Sequence, residues 1–239
     1  MRIAVVSDIH GNLTAFEAVL ADLRETSPDL ILHGGDLADA GSSPVEIVDR
    51  IRDLGWPGVV GNTDEMLVSP QTLEDFAGRS PQLKSLWSAI GEMAAAAREA
   101  LGESRLAWLR QLPRSRKHGE LTLLHASPES AWIAPNPDWT DGQFESTYAA
   151  VGSPVVVYGH IHRSFVRKVA GKTIVNCGSV SLSLDGDPRA AYLLLDDSTP
   201  TIRRVEYDIE REIKAHADRG LPHNAWLAKT LRTARPQNP

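Results

Sequence analysis

The chain has 239 residues, 42% of them hydrophobic and 23% charged, a balance that excludes a disordered chain and suits one large domain better than two. No apolar run reaches the roughly 18 residues of a membrane-spanning helix. The net charge of −6 argues against a protein that coats nucleic acid, and a single cysteine, Cys177, excludes an internal disulfide framework.

The start of the sequence passes from an apolar strand straight into polar residues, without the basic leader and cleavage site of a secretion signal. With the lone cysteine, this sets the expectation of a cytoplasmic protein. Residues 2–6 form a short β-branched run, the pattern of a buried strand. Gly11-Asn12 breaks it, and Leu13, Phe16, Val19, Leu20 and Leu23 then recur at helical spacing up to Pro28. A second apolar run at 30–32 stops at Gly34-Gly35-Asp36. Pro44 opens a helix with Val45, Ile47, Val48 and Ile51 as its apolar positions, and a third run at 58–60 stops at Gly61-Asn62. Strand ends at Asp8, Asp36 and Asn62 leave room for one crossover helix each time, which predicts parallel strands covered by helices on both faces. Ligands of such sheets sit beyond the carboxyl ends of the strands, where these polar residues fall.

Residues 65–112 are rich in Ala, Leu, Glu and Arg and predict two or three helices, read as an insertion or cap on a single domain spanning 1–239. Residues 66–118 carry eight Lys or Arg and five acids, either a basic surface that helps hold an anionic substrate or an ordinary solvated helix face. Strands return at 121–124, 155–158, 173–175, 190–195 and 201–207. Helices over 209–219 and 224–231 close a helical tail at about 209–239, with 235–239 expected to fray.

Five short motifs stop at strand ends: Asp8-Ile9-His10, Gly35-Asp36-Leu37-Ala38-Asp39, Gly61-Asn62-Thr63-Asp64, Leu124-His125-Ala126 and Gly159-His160-Ile161-His162. Their carboxylate, amide and imidazole groups suit Mn, Fe, Zn or Ni better than Ca or Mg. The glycines supply positive φ or close backbone approach beside a metal. The count suits two divalent ions. Asp8, His10 and His162 hold one, Asn62, His125 and His160 the other, and Asp36 bridges. Such a pair activates water and neutralises a transferring phosphoryl group. Asp36, Asn62 and His160 are the residues on which catalysis is expected to rest.

In this order the motifs resemble the signature of the calcineurin-like metallophosphoesterase superfamily, and within it the small bacterial and archaeal phosphodiesterase-like group. Val175-Asn176-Cys177-Gly178-Ser179-Val180 and Asp187-Pro188-Arg189-Ala190 are similar to that group's NPGSVG and PRASY segments. The resemblance implies an α/β (α+β) four-layer α-β-β-α sandwich of two mixed sheets. It also implies a hydrolase in which hydroxide bridging two metals attacks a phosphodiester or phosphomonoester. Asn12, by resemblance, and Arg163, by its place in sequence, are candidates for substrate binding; Asp39 and Asp64 are expected to orient the ligands from behind. Many members carry His after the motif asparagine, proposed to protonate the leaving group. Here the residue is Thr63, which implies diesters or monoesters with good leaving groups, with His33 or Arg163 as substitute donors. Ala126 and Cys177 replace a frequent glycine and a frequent proline.

Trp132 and Trp139 lie in the loop after His125, either pinning it or stacking on a nucleobase. Cys177 is not followed by Arg after five residues, since position 183 is Ser, so a cysteine-nucleophile phosphatase is excluded. The expected partner is a small phosphate ester, nucleotide-like ones included, with neither membrane nor extended nucleic-acid surface. Two other readings stand beside the small-molecule phosphoesterase: a non-catalytic binding module of the same fold, opposed by the complete ligand set, and a protein serine/threonine phosphatase, opposed by Thr63 and the short chain.

Overall fold

The computed structural model describes all of residues 1–239. In β1 (Arg2–Val6) the side chains alternate, Ile3 and Val5 to one face and Ala4 and Val6 to the other, and both faces are buried. Helix α1 (Leu13–Thr26) returns the chain to β2 (Leu30–His33), which pairs parallel to β1. Its end is set by Ser27 in the left-handed conformation, with Pro28 next. Helix α2 (Pro44–Leu54) follows. The expected strand at 58–60 is reduced to one parallel bridge, His33 with Gly58, because the Gly61 N–H, which would carry the ladder on, donates to Asp64 Oδ2 instead.

Helices α3 (Asn62–Val68), α4 (Gln71–Ala77) and α5 (Lys84–Leu109) fill the middle, and α5 is broken at Gly102, where φ is 66°. Then come β3 (Ser115–His118), β4 (Leu121–Leu124), α6 (Asp141–Tyr148), β5 (Val155–Tyr158), β6 (Phe165–Val169) and β7 (Lys172–Asn176). The chain ends with β8 (Ala190–Asp196), β9 (Thr199–Val205), α7 (Ile209–Asp218) and α8 (Asn224–Thr233). Two elements without a sequence expectation left signals behind. Helix α6 starts at a capping box between Thr140 and Gln143, and β6 pairs with β7 across Ala170-Gly171.

The strands form two mixed sheets, ordered β2-β1-β8-β9 and β3-β4-β5-β7-β6. Ile3, Val5, Leu32 and Leu193 of the first meet Leu123, Val157 and Val175 of the second in one buried cluster. Behind the first sheet, Ala4, Val6 and Tyr192 pack on α1, α2, α3 and α5. Behind the second, Val156, Tyr158 and Ile174 pack on Phe144 and Tyr148 of α6. The architecture is therefore α-β-β-α. It is the four-layer sandwich of two mixed sheets that the resemblance implied, and it corrects the expectation, drawn from the strand pattern, of a parallel sheet with helices on both faces. Strands β8 and β9 join the first sheet antiparallel, and each sheet has helices on one face and the other sheet on its second. No helix is long and apolar enough to cross a membrane.

The segment read as a cap divides. Ala94, Ala97, Leu101, Leu106 and Leu109 of α5 belong to the main core, while its first half faces a cavity described below. The residues after α8 do not fray as expected: Gln237 O accepts the Trp226 indole N–H at 3.0 Å, and Ala234 O accepts from Gly186 N at 2.9 Å.

His33 is fully buried beneath Gly58, where a Cβ would overlap its ring, and neither ring nitrogen has a hydrogen-bond partner. Burial, with Arg116 nearby, lowers its pKa from 6.5 to about 3. The native imidazole stays neutral while the unfolded one takes a proton below about pH 6.5, so stability is lost as pH falls from there towards 3. At pH 5 the expected loss is about 2 kcal/mol. His33→Leu should remove that loss, seen as a smaller drop in the urea midpoint between pH 7 and 5. Parallel drops in both proteins would show that the buried imidazole is not the source.

Candidate metal centre

The carboxyl ends of β1, β2, β4 and β5 lead into one place. Asp8 and His10 follow β1, Asp36 follows β2, His125 follows β4, and His160 and His162 follow β5, while Asn62 is the first residue of α3. Five of these seven, Asp8, His10, Asp36, His160 and His162, have φ between 49° and 66°. Non-glycine residues rarely occupy that region, and five together at one point are strain held in place by the surrounding fold. The sequence assigned positive φ or close approach to the glycines, and Gly35 has a φ of 88°. The structure gives it to the ligands as well, and uses Gly61 and Gly159 for closeness: a Cβ at either would overlap the Asp36 or Asp8 carboxylate.

The side chains fall into two groups sharing Asp36. Ligand atoms of Asp8, His10, Asp36 and His162 all lie within 4.8 Å of one another. His162 Nε2 is 3.1 Å from His10 Nε2 and 3.3 Å from Asp8 Oδ1. In the second group, Asn62 Oδ1 is 2.9 Å from His125 Nε2 and 2.8 Å from His160 Nδ1. Asp36 Oδ2 stands between, 3.7 Å from His10 Nε2 and 3.4 Å from His125 Nε2.

The tautomers are set from behind. His125 Nδ1 donates to Gly34 O at 2.7 Å, His162 Nδ1 to Leu182 O at 2.8 Å, and His160 Nε2 to Trp132 O at 3.1 Å. Neutral, as a metal-binding imidazole must be, each ring would then turn its other nitrogen, a lone pair, towards carboxylate and amide oxygens. Acceptors facing acceptors at about 3 Å repel one another unless a cation lies among them. The donor set therefore fits divalent metal ions at both groups.

The electrostatics carry the same demand. Asp8 and Asp36 are fully buried, yet His162 and His125 hold their pKa values below the usual carboxylate range. In return Asp36 and Asp8, against the opposing effect of burial, push His125 up to about 10, and Asp8 pushes His162 upward. Burial lowers His10 and His160 to about 4, with neighbouring His162 and His125 adding to it. The buried carboxylates thus draw positive charge on to two imidazoles, the charge that metal ions bring outright.

Asp64 holds this assembly from behind. Its Oδ2 accepts from Asp36 N at 2.8 Å and Gly61 N at 3.0 Å, and its Oδ1 accepts from Leu37 N. Asp39 stands elsewhere. It lines the cavity over the metal side chains, its Oδ1 has no partner, and burial with Asp36 nearby pushes its pKa up to about 8.

Other assignments from sequence fare differently. Asn12 is fully buried and caps α1, its Oδ1 accepting from Ala15 N and its Nδ2 donating to Ser181 Oγ. Arg163 and His33 do not line the cavity. Thr63 does line it, with its N–H on Asp36 Oδ1 at 2.9 Å. Three of the eight basic residues of 66–118 are taken up locally, Arg98 by the carbonyls of Leu67 and Val68, Arg105 by Asp49 and Arg114 by Glu65, and no Lys or Arg lines the cavity. Cys177 is buried between the sheets, where desolvation pushes its thiol pKa up, so it is no nucleophile. Trp139 packs on the outer core around α6, whereas Trp132 reaches the cavity.

A family model described as the calcineurin-like phosphoesterase superfamily domain matches residues 1–199. The chain is 30% identical to an uncharacterized protein of Methanocaldococcus jannaschii, with 96% of each covered. It is 25% identical to a probable cyclic nucleotide phosphodiesterase of a Synechococcus species, over 70% of this chain and 71% of that one. A crystal structure of a metallophosphoesterase from Sphaerobacter thermophilus is 27% identical and superposes with a TM-score of 0.79, covering 98% of this chain and all of the other.

Proposed function

Because this chain belongs to the calcineurin-like phosphoesterase superfamily, we propose that it is a metal-dependent phosphodiesterase acting on small phosphate diesters. One observation carries the reading: seven side chains converge on two adjacent points that share Asp36, with lone pairs turned inward. Bound there, a pair of divalent ions such as Mn, Fe, Zn or Ni supplies activated water and neutralises phosphoryl charge.

The chain's own part is placement. Asp8, His10 and His162 would hold one ion, Asn62, His125 and His160 the other, and Asp36 both. Asp64 fixes Asp36 through its backbone N–H, and the backbone carbonyls of Gly34, Trp132 and Leu182 fix the imidazole tautomers. Two features favour a diester over a monoester. Thr63 stands where a proton donor would assist a poor leaving group. The absence of Lys and Arg from the cavity suits a monoanion better than a dianion. The lone buried Cys177 agrees with the cytoplasm as the working compartment.

The test compares bis-p-nitrophenyl phosphate with p-nitrophenyl phosphate after chelation and readdition of Mn²⁺, Ni²⁺, Zn²⁺ or Mg²⁺. Chelation should bring turnover to background, and at least one transition metal should restore it, with the diester cleaved faster. A faster monoester would overturn the diester reading. A protein that neither retains metal nor turns over either ester would be a binding module.

A further inference from the structure

A cavity of about 300 Å³ opens directly over the metal side chains, its floor formed by His10, Asn62, Thr63 and His162. Its walls come from elements far apart in sequence. Leu86, Trp87, Ile90 and Met93 project from one face of α5, Trp132 from the loop after β4, and Trp226 and Leu227 from α8. Pro236 and Gln237 bring the end of the chain to its rim.

The walls are apolar in a specific way, because the side-chain donors that α5, the loop after β4 and the C-terminal part of the chain bring to them are already engaged. The Trp87 indole N–H donates to Ser80 Oγ, that of Trp132 to Glu65 Oε2, and that of Trp226 to Gln237 O. The Thr230 hydroxyl donates to Trp226 O, and the Gln237 amide to Thr233 Oγ1 and Arg235 O. Three tryptophans therefore offer ring surface and nothing else. Two of them are backed by one ring, Phe76, whose centroid is 5.6 Å from that of Trp87 and 4.9 Å from that of Trp132.

We infer that this cavity is the subsite for one ester arm of the substrate, and that the arm is an uncharged aromatic group; the inference rests on the phosphodiesterase reading above. A second phosphate would lose its hydration there with no Lys or Arg to replace it. A nucleobase would find faces to stack on but no free donor on the walls to read its edge; the unpartnered Thr63 hydroxyl and Asp39 carboxyl lie beside the metal side chains, where the phosphate would sit. An aryl group loses nothing on entry. The volume lies at the low end of small-molecule sites, about 300–1,000 Å³, and fits one ring system rather than a dinucleotide.

The experiment compares methyl and 2-naphthyl diesters of p-nitrophenyl phosphate with the metal-loaded enzyme. It is paired with calorimetric titration of methyl and 2-naphthyl methylphosphonates, which requires no turnover. The naphthyl arm should raise both kcat/KM and affinity at least about tenfold. Ile90→Asp should bring both ratios to within about twofold of one, and Leu86→Ser, at a half-buried position, is the second variant should the first fail to fold. Equal or weaker binding and turnover of the naphthyl compounds would overturn the inference while leaving the phosphodiesterase standing. Preferential naphthyl binding without turnover of either diester would sustain the subsite and count against the phosphodiesterase.

Discussion

Asp36→Asn is expected to lower metal-dependent turnover of a phosphodiester at least about a thousandfold with the fold intact, a loss of about 4 kcal/mol in transition-state stabilisation. The substitution keeps the shape of the side chain, and an amide oxygen in place of Oδ1 can still accept the Thr63 N–H. The bridging position is where it fails. Oδ2 faces His10 and His125 at 3.7 and 3.4 Å, and an NH2 group there presents protons instead of a lone pair. Metal analysis should show fewer bound ions per chain than in the wild type, and circular dichroism should be unchanged. Normal activity of the variant in metal-replete buffer would remove Asp36 from the centre and with it the shared-carboxylate arrangement.

The second large effect concerns a residue with no side chain. Gly61→Ala would place a Cβ on top of Asp36 Oδ1 and only 2.8 Å from Asp36 Cγ. The neighbours cannot give way cheaply. Gly61 N donates to Asp64 Oδ2, which also accepts from Asp36 N, so displacing either strand end breaks a buried network. We expect turnover to fall at least about a hundredfold and thermal stability to drop by several degrees, the order expected for a clash of about 2 kcal/mol in a domain this size. Gly55→Ala provides the comparison. A Cβ at Gly55 meets nothing within 4 Å, so its cost comes only from the positive φ of 63° and leaves the metal centre alone. Equal activity losses for the two variants would show that crowding of Asp36 is not what matters at Gly61.

Much of the metal centre is legible in the chain because its groups sit in short motifs. Asp8-Ile9-His10, Gly61-Asn62-Thr63-Asp64 and Gly159-His160-Ile161-His162 each stop at a strand or bridge end, and that edge is common to neighbouring strands of a sheet. Asp64 is legible for the same reason, two residues from Asn62 in the motif. Asn12 was less legible, because a polar residue beside the first motif serves equally as a helix cap. The hydrogen bond to Ala15 N that makes it one depends on where α1 begins.

The sequence by itself determined the strand-end chemistry, the helix-and-strand order of most of the chain and the family. Local patterns record what a residue's own segment requires, through period, caps and turn residues. The two facing sheets entered only through the family resemblance, and tertiary structure alone decided which strands join which sheet. The antiparallel entry of β8 and β9 beside β1 joins segments nearly 190 residues apart, and hydrophobic pattern cannot name its partner. It alone gave five ligands left-handed backbone, since that strain is imposed by the surrounding fold rather than by the residue. It also made the apolar cavity, whose walls from α5, the loop after β4 and α8 carry no common motif. Each wall reads in sequence as an ordinary helix face or loop, and becomes a site only when packing sets the three around the same metal side chains.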